Sequence, residues 1–116
     1  MTSYKLVMPE HMNQYGYLFG GYLLQWVDET AWMAVSLEHP GMRFVTVGMS
    51  QVAFHKPARR GAILRFEVEA VRAGNTSATY AVRVFHGEDA IFGTEITFVR
   101  IDGTGRKLAL SAPADA

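Results

Sequence analysis

Three features in the first third of the chain have the residue types for joint chemistry: a loop asparagine, Asn13, a glycine pair, Gly20-Gly21, and an aspartate, Asp28. The glycines stand where an apolar helical pattern begins. The first turn of a helix carries N–H groups without intrahelical acceptors and the positive end of the macrodipole. Those donors favour negative charge developing on an oxygen, and glycine lets that oxygen come close. Taken alone, a Gly-Gly pair is better explained by close packing or a tight turn, and only the company of Asn13 and Asp28 reverses that reading. Asp28 is flanked by Trp26, Val27, Ala31 and Trp32. A carboxylate in apolar surroundings is costly unless paired, and where it persists it commonly works, as a base toward water or as a nucleophile. Glu29 lies about 100° further round a helix and is assigned to solvent. Asn13 offers a donor and an acceptor that do not titrate, although its position alone fits an ordinary turn asparagine.

Other chemistries find little support. The four histidines, His11, His39, His55 and His86, show no ligand spacing, and there is no cysteine. No metal and no cofactor is therefore expected. No G-x-S-x-G elbow occurs, which disfavours a serine hydrolase. Eleven basic and eleven acidic residues cancel, without the long basic run of a nucleic-acid binder. The chain has neither a signal-peptide hydrophobic region nor a span of about 18 apolar residues, so no membrane association and a cytoplasmic location are expected.

The elements that must hold these residues follow from periodicity. At 116 residues, 49% of them hydrophobic, the chain reads as one domain over its whole length, small enough to gain from oligomerisation. Between Phe19 and Leu37, the residues Leu23, Leu24, Val27, Ala31, Ala34 and Val35 recur at helical spacing, and "EHPGM" stops the helix. Trp26, Trp32 and Met33 make its other faces apolar, so it should be covered nearly all round. "YKLVM" reads as a short strand, and "RFVTVGMSQVAFH", "AILRFEVEAVRAG", "TSATYAVRVFHG" and "AIFGTEITFVRID" as four more, broken at "KPARRG", "GNTS" and "HGED". The expected fold class is α+β, an antiparallel sheet of about five strands curled around one long central helix. The stretch "GTGRKLALSAPADA", residues 103–116, reads as a poorly ordered tail.

Asn13, Gly16, Phe19-Gly20-Gly21 and Asp28-Glu29 as a set, with the "F-x-K-P" turn and the "GNTS" turn that follow, resemble the hotdog-fold acyl-CoA thioesterases over about residues 5–101. Many relatives carry an acid shortly after the "TV" of the second strand, where this chain has Gly48 and Met49. The resemblance implies hydrolysis of an acyl-CoA to free acid and CoA without a cofactor. Asn13, Gly20, Gly21 and Asp28 would be catalytic, with the Gly20-Gly21 amides stabilising the oxyanion by roughly 3 kcal/mol per well-placed donor. It places Lys56, Arg59, Arg60, Arg72, Gly74, Asn75, Thr76 and Ser77 near CoA, whose phosphates need cations and backbone donors. Tyr15, Tyr17, Tyr22, Trp26, Trp32 and Met33 are plausible walls of an acyl pocket. A hotdog hydratase or dehydratase, with His11 opposite the acid, and a non-catalytic acyl-CoA-binding protein are the alternatives. Gly21 and Asp28 share a helix face but stand roughly 10 Å apart along the axis, so one helix cannot bring both to one carbonyl. A homodimer with shared sites, alone or built into a tetramer or hexamer, removes that difficulty and matches how the resembling enzymes are built.

Overall fold

The computed structural model describes residues 1–113. Helix α1 spans Gly20–Glu38, and strands β1 to β5 span Thr2–Leu6, Arg43–Phe54, Ile63–Ala73, Ser77–His86 and Asp89–Ile101. A single 3-10 turn, Pro9–His11, lies between β1 and α1. Leu23, Trp26, Val27, Thr30, Ala31, Ala34 and Val35 are the buried residues of α1. They fall at i, i+3, i+4, i+7, i+8, i+11 and i+12, one stripe of a 3.6-residue helix. The strands supply the opposing layer by alternation: Leu64, Phe66 and Val68 on β3, Tyr80, Val82 and Val84 on β4, and Ile96 and Phe98 on β5 are all buried. Sealing each such side chain stabilises the fold by about 1.5–3 kcal/mol before conformational entropy is set against it. All pairings are antiparallel, and the sheet order is β1-β3-β4-β5-β2.

Strand β2 is one edge of the sheet and is irregular, with register shifts between Thr46 and Gly48 and between Ser50 and Ala53. At the second shift Gln51 adopts a φ of 54°, the left-handed region uncommon for a side chain of that size. The Thr94 hydroxyl anchors the bulge by donating to the Ser50 carbonyl at 2.9 Å. Bulges bend an edge strand and re-aim its side chains. Here they precede Phe54, which must reach the start of α1.

Two expectations are corrected. Within the chain α1 is covered on one side only: Trp32, Met33 and Leu37 keep 47%, 40% and 72% of their surface exposed. A single five-stranded sheet covers the buried stripe, and among the described residues no further element reaches the opposite face. The segment from Gly103 to Pro113 is tied down where a poorly ordered tail was expected. Arg100, fully buried on β5, donates from Nη1 to the carbonyls of Ala109 and Ala112 at 2.8 and 2.7 Å and from Nη2 to that of Pro113 at 2.7 Å. Leu108 and Leu110 N–H groups bond the carbonyls of Arg100 and Asn75. A buried guanidinium demands carbonyl partners, and the small residues of this segment can fold close enough to provide them. The last part of the expected tail, residues 114–116, lies outside the described residues.

Candidate active site

The loop before α1 is shaped by Asn13. Its Oδ1 accepts from the backbone N–H groups of Tyr15 and Tyr17 at 2.9 and 3.1 Å. Its own N–H donates to the Tyr17 carbonyl at 2.7 Å, and Met12 and Leu18 bridge across the loop mouth. This is the turn role that the position alone suggests, and it has a chemical by-product. With Oδ1 held by the loop, the amide orientation is set and Nδ2, which has no acceptor among the described residues, is aimed as a donor.

Helix α1 then begins without a side-chain cap at Phe19. The Phe19 N–H donates to the His11 carbonyl at 2.9 Å, and the first N–H groups of the helix proper to find acceptors are those of Tyr22 and Leu23, both at the Phe19 carbonyl. Among the described residues the N–H groups of Gly20 and Gly21 form no hydrogen bond. Gly20 also has a packing role: a methyl built on it would stand 3.4 Å from the Phe54 ring. Asn13, Tyr17, Gly20, Phe54, His55 and Lys56 line one cavity of about 290 Å³.

Asp28 is elsewhere. It is half-buried, and its Oδ1 accepts from the Thr46 hydroxyl at 2.6 Å. Asp28 and Thr46 line a second cavity, of about 440 Å³, with Lys5, Glu29, Trp32 and Met33. Glu29 points to solvent, where Gln25 Nε2 donates to it at 3.0 Å. Thr46 is the residue that sequence reasoning passed over. A threonine in a strand is accounted for by β-propensity, and its partner lies 18 residues away on another element. The "TV" stretch of β2 was the available signal.

The cations expected near CoA divide into two groups. Lys56 borders the Asn13 cavity, with Nζ 3.4 Å from Asp89 and both groups exposed. Arg59 lies with its guanidinium carbon 4.8 Å from the centre of the Tyr17 ring, and with Arg60 and His86 it lines a neighbouring cavity of about 370 Å³. Arg72 is paired with Glu95 at 2.8 Å. The Gly74 to Ser77 turn joins the far ends of β3 and β4, away from Lys56: its Ser77 end registers with Val99 on β5, whereas the other end of β4 registers at His86 with Asp89. Through β5, Ala78 faces Phe98, and Phe98 faces Thr46. One chain therefore carries Asn13, Gly20, Lys56, Arg59 and Arg60 toward one end of the sheet, and Thr46 with the Gly74 to Ser77 turn toward the other. Of the aromatic wall candidates, Tyr17 belongs to the first cavity, Trp32 and Met33 to the second, Trp26 is core and Tyr15 is exposed.

A long helix packed against a five-stranded antiparallel sheet is the hotdog fold. The chain belongs to the thioesterase superfamily, whose family model matches residues 15–92. It is 35% identical over 78 residues to acetyl-coenzyme A thioesterase of Mus musculus, a match covering 67% of this chain and 14% of that protein. The chain thus spans about a seventh of that much longer relative. It is 34% identical over 103 residues to an uncharacterized acyl-CoA thioester hydrolase of Zymomonas mobilis, covering 84% of this chain and 68% of the relative. Among solved structures, a hexameric hotdog-fold thioesterase of Campylobacter jejuni superposes with a TM-score of 0.82 at 27% identity, covering 94% of this chain and 88% of that one. No helix among the described residues is long and apolar enough to cross a membrane.

Proposed function

We propose that the protein hydrolyses an acyl-CoA to the free acid and CoA at sites shared between two copies of the chain. The observation that carries the reading is the separation of Asn13 and Gly20 from Asp28 into two cavities of one chain. Neither half is complete. The first has donors for an oxyanion and no acid; the second has an acid and no oxyanion donors. The acyl-CoA relatives supply the substrate class, and the hexameric neighbour supports an assembly of several copies.

The edge strand offers the means of joining them. Phe54 touches the Gly20 end of α1 and Thr46 touches Asp28. A two-fold partner running antiparallel along β2, with Thr46 of one copy opposite Phe54 of the other, sets each Asp28 beside the other copy's Asn13 loop. Val45, Val47 and Val52 along β2, and Trp32 and Met33 on α1, are exposed in the single chain, an apolar surface suited to such burial. CoA then meets Lys56, Arg59 and Arg60 of one copy and the Gly74 to Ser77 turn of the other.

In the shared site the thioester carbonyl oxygen lies against the Gly20 and Gly21 amides, where the tetrahedral oxyanion gains most from fixed donors. Asn13 Nδ2 is the uncharged donor beside them. Thr46 holds Asp28 by Oδ1 and leaves Oδ2 to act. Two routes use that oxygen. Oδ2 takes a proton from water as the hydroxide adds to the carbonyl carbon and the C–S bond then breaks. Alternatively Oδ2 adds to the carbonyl itself, expels CoA thiolate and leaves a mixed anhydride that water opens. Both end in carboxylate and CoA. The hydratase alternative loses ground at His11, which lines neither cavity and whose Nδ1 is engaged by the Met8 N–H.

Free-thiol release from a panel of acyl-CoAs, run beside hydration of an enoyl-CoA, tests the reaction class, and hydration without thiol release would overturn it. Asp28→Ala and Asn13→Ala are each expected to abolish turnover with the fold intact. Mixed under conditions that exchange subunits, they should recover about a quarter of wild-type activity, because half the dimers then hold one intact site of two. Demonstrated exchange without recovery would sink the shared-site arrangement.

A further inference from the structure

His11 carries more contacts than its place in a loop requires. Its Nδ1 accepts the Met8 N–H at 2.9 Å, and its own N–H donates to the Met8 carbonyl at 3.0 Å. Its carbonyl accepts the Phe19 N–H at 2.9 Å. The ring packs on two side chains of α1: its centroid is 5.0 Å from that of Tyr22 and 4.8 Å from that of Trp26, edge-on to the latter at 86°. Trp26 is buried in the core, so it provides a fixed seat. An Nδ1 that accepts carries no proton, which puts the proton of the neutral ring on Nε2.

From this geometry we infer that His11 is a positioning residue for the oxyanion donors: by tying the Pro9–His11 turn to the first two turns of α1, it fixes the Gly20 and Gly21 amides relative to Asn13. The inference rests on the hydrolase reading for its catalytic consequence, although the positioning itself is a property of the fold. Asn13 follows His11 by two residues, and the residue whose N–H the His11 carbonyl holds, Phe19, immediately precedes Gly20. Movement of the ring is therefore passed to both sides of the donor cluster through one covalent neighbour on each. An uncapped helix start has no side chain of its own to define its first turn. His11 supplies that definition from outside.

The imidazole combines two properties that no other side chain offers together: an aromatic body for the seat on Tyr22 and Trp26 and an acceptor at the Nδ1 position. Two variants separate them. His11→Phe keeps an aromatic ring and deletes the acceptor; His11→Asn keeps an acceptor oxygen close to the Nδ1 position and deletes the ring. For His11→Phe we expect an unchanged melting profile, a kcat lowered by about 10- to 100-fold and a KM within about twofold of wild type, since a misplaced donor is missed chiefly in the transition state. His11→Asn is expected to recover most of the loss. Amide hydrogen exchange at Phe19 should accelerate by about tenfold in His11→Phe and return toward wild type in His11→Asn.

Wild-type kcat in a folded His11→Phe would overturn the inference, as would a His11→Asn variant as impaired as His11→Phe. A structural role elsewhere would lower the melting temperature and leave kcat alone. If the wild-type protein turned over no acyl-CoA at all, the hydrolase reading would fall, and Phe19 exchange would decide the positioning separately: unchanged exchange in His11→Phe refutes it.

Discussion

The two halves of α1 handle their polar groups in opposite ways. From Gly20 to Asp28 the site groups are held in place and left incomplete: among the described residues two N–H groups have no acceptor, and a carboxylate is bonded through one oxygen to Thr46. Toward Glu38 several groups are closed on the protein itself, although the Ser36 hydroxyl is buried without a partner among the described residues. The Thr30 hydroxyl returns to the Trp26 carbonyl at 2.7 Å, the His39 N–H reaches the Val35 carbonyl, and the Glu38 carboxylate lies near the hydroxyl of Tyr80, a residue 1% exposed on β4. Closed groups stabilise a fold and open ones are available to a substrate. Sequence composition does not distinguish the two, because both halves are apolar with polar residues interspersed.

The sharpest way to break the contrast is at Gly20. Gly20→Pro deletes one open N–H where proline is best tolerated, at the first helical position after a residue with extended dihedrals, Phe19 at φ −65° and ψ 129°. Turnover is expected to fall by about a hundredfold with little change in melting temperature. Gly20→Ala keeps the N–H and places a methyl in ordinary contact with Phe54, so it should cost far less. Equal losses in the two variants would make Gly20 a packing residue and nothing more.

Thr46→Val tests the other open group. It removes the hydroxyl that holds Asp28 while preserving shape and β-propensity. Loss of one hydrogen bond to a charged acceptor should lower kcat by about tenfold with stability unaltered. An unchanged kcat would mean that Asp28 is aimed by the helix alone.

The smallest effect belongs to the closed half. Tyr80→Phe should leave activity as it is and reduce stability by about 1 kcal/mol. It should also change the alkaline limb of the stability profile. Burial first, and then the Glu38 carboxylate, raises the Tyr80 hydroxyl above its ordinary value. The unfolded chain thus releases this proton before the folded one does. The contribution of Tyr80 is intact below the unfolded value of about 10 and is lost as pH rises through the higher folded value. Melting temperatures measured from neutral to strongly alkaline pH should fall less steeply in Tyr80→Phe, and identical slopes would show that the phenol is not closed on Glu38 in solution.

Periodicity places the helix to within a residue at each end, Phe19 to Leu37 against Gly20–Glu38, and finds all five strands. Local spacing carries that information because each element satisfies its own backbone and buries one face. Asp28 is likewise visible as an acid among apolar neighbours, whereas Asn13 and Gly20 draw notice only in company with it. What escapes is set by distant pairing. Thr46 looks like any strand threonine until α1 is laid against β2. Arg100 stands in an alternating strand where a charge is normally read as solvent-facing, and only the return of residues 109–113 shows it to be buried. The uncovered face of α1 was expected to be wrapped because helical periodicity records that a face is apolar and not which chain covers it.

Arg100 also bears on the order in which the protein is made. Synthesis runs from the N-terminus, so β5 leaves the ribosome before the carbonyls of Ala109, Ala112 and Pro113 that surround its guanidinium. Until those residues emerge, docking the end of β5 would bury an uncompensated charge, which typically costs about 3–5 kcal/mol. The end of β5, the strand between β4 and the edge strand β2, is thereby disfavoured from docking early, and a nascent chain stalled before Ala109 is left open next to the edge strand that β5 supports.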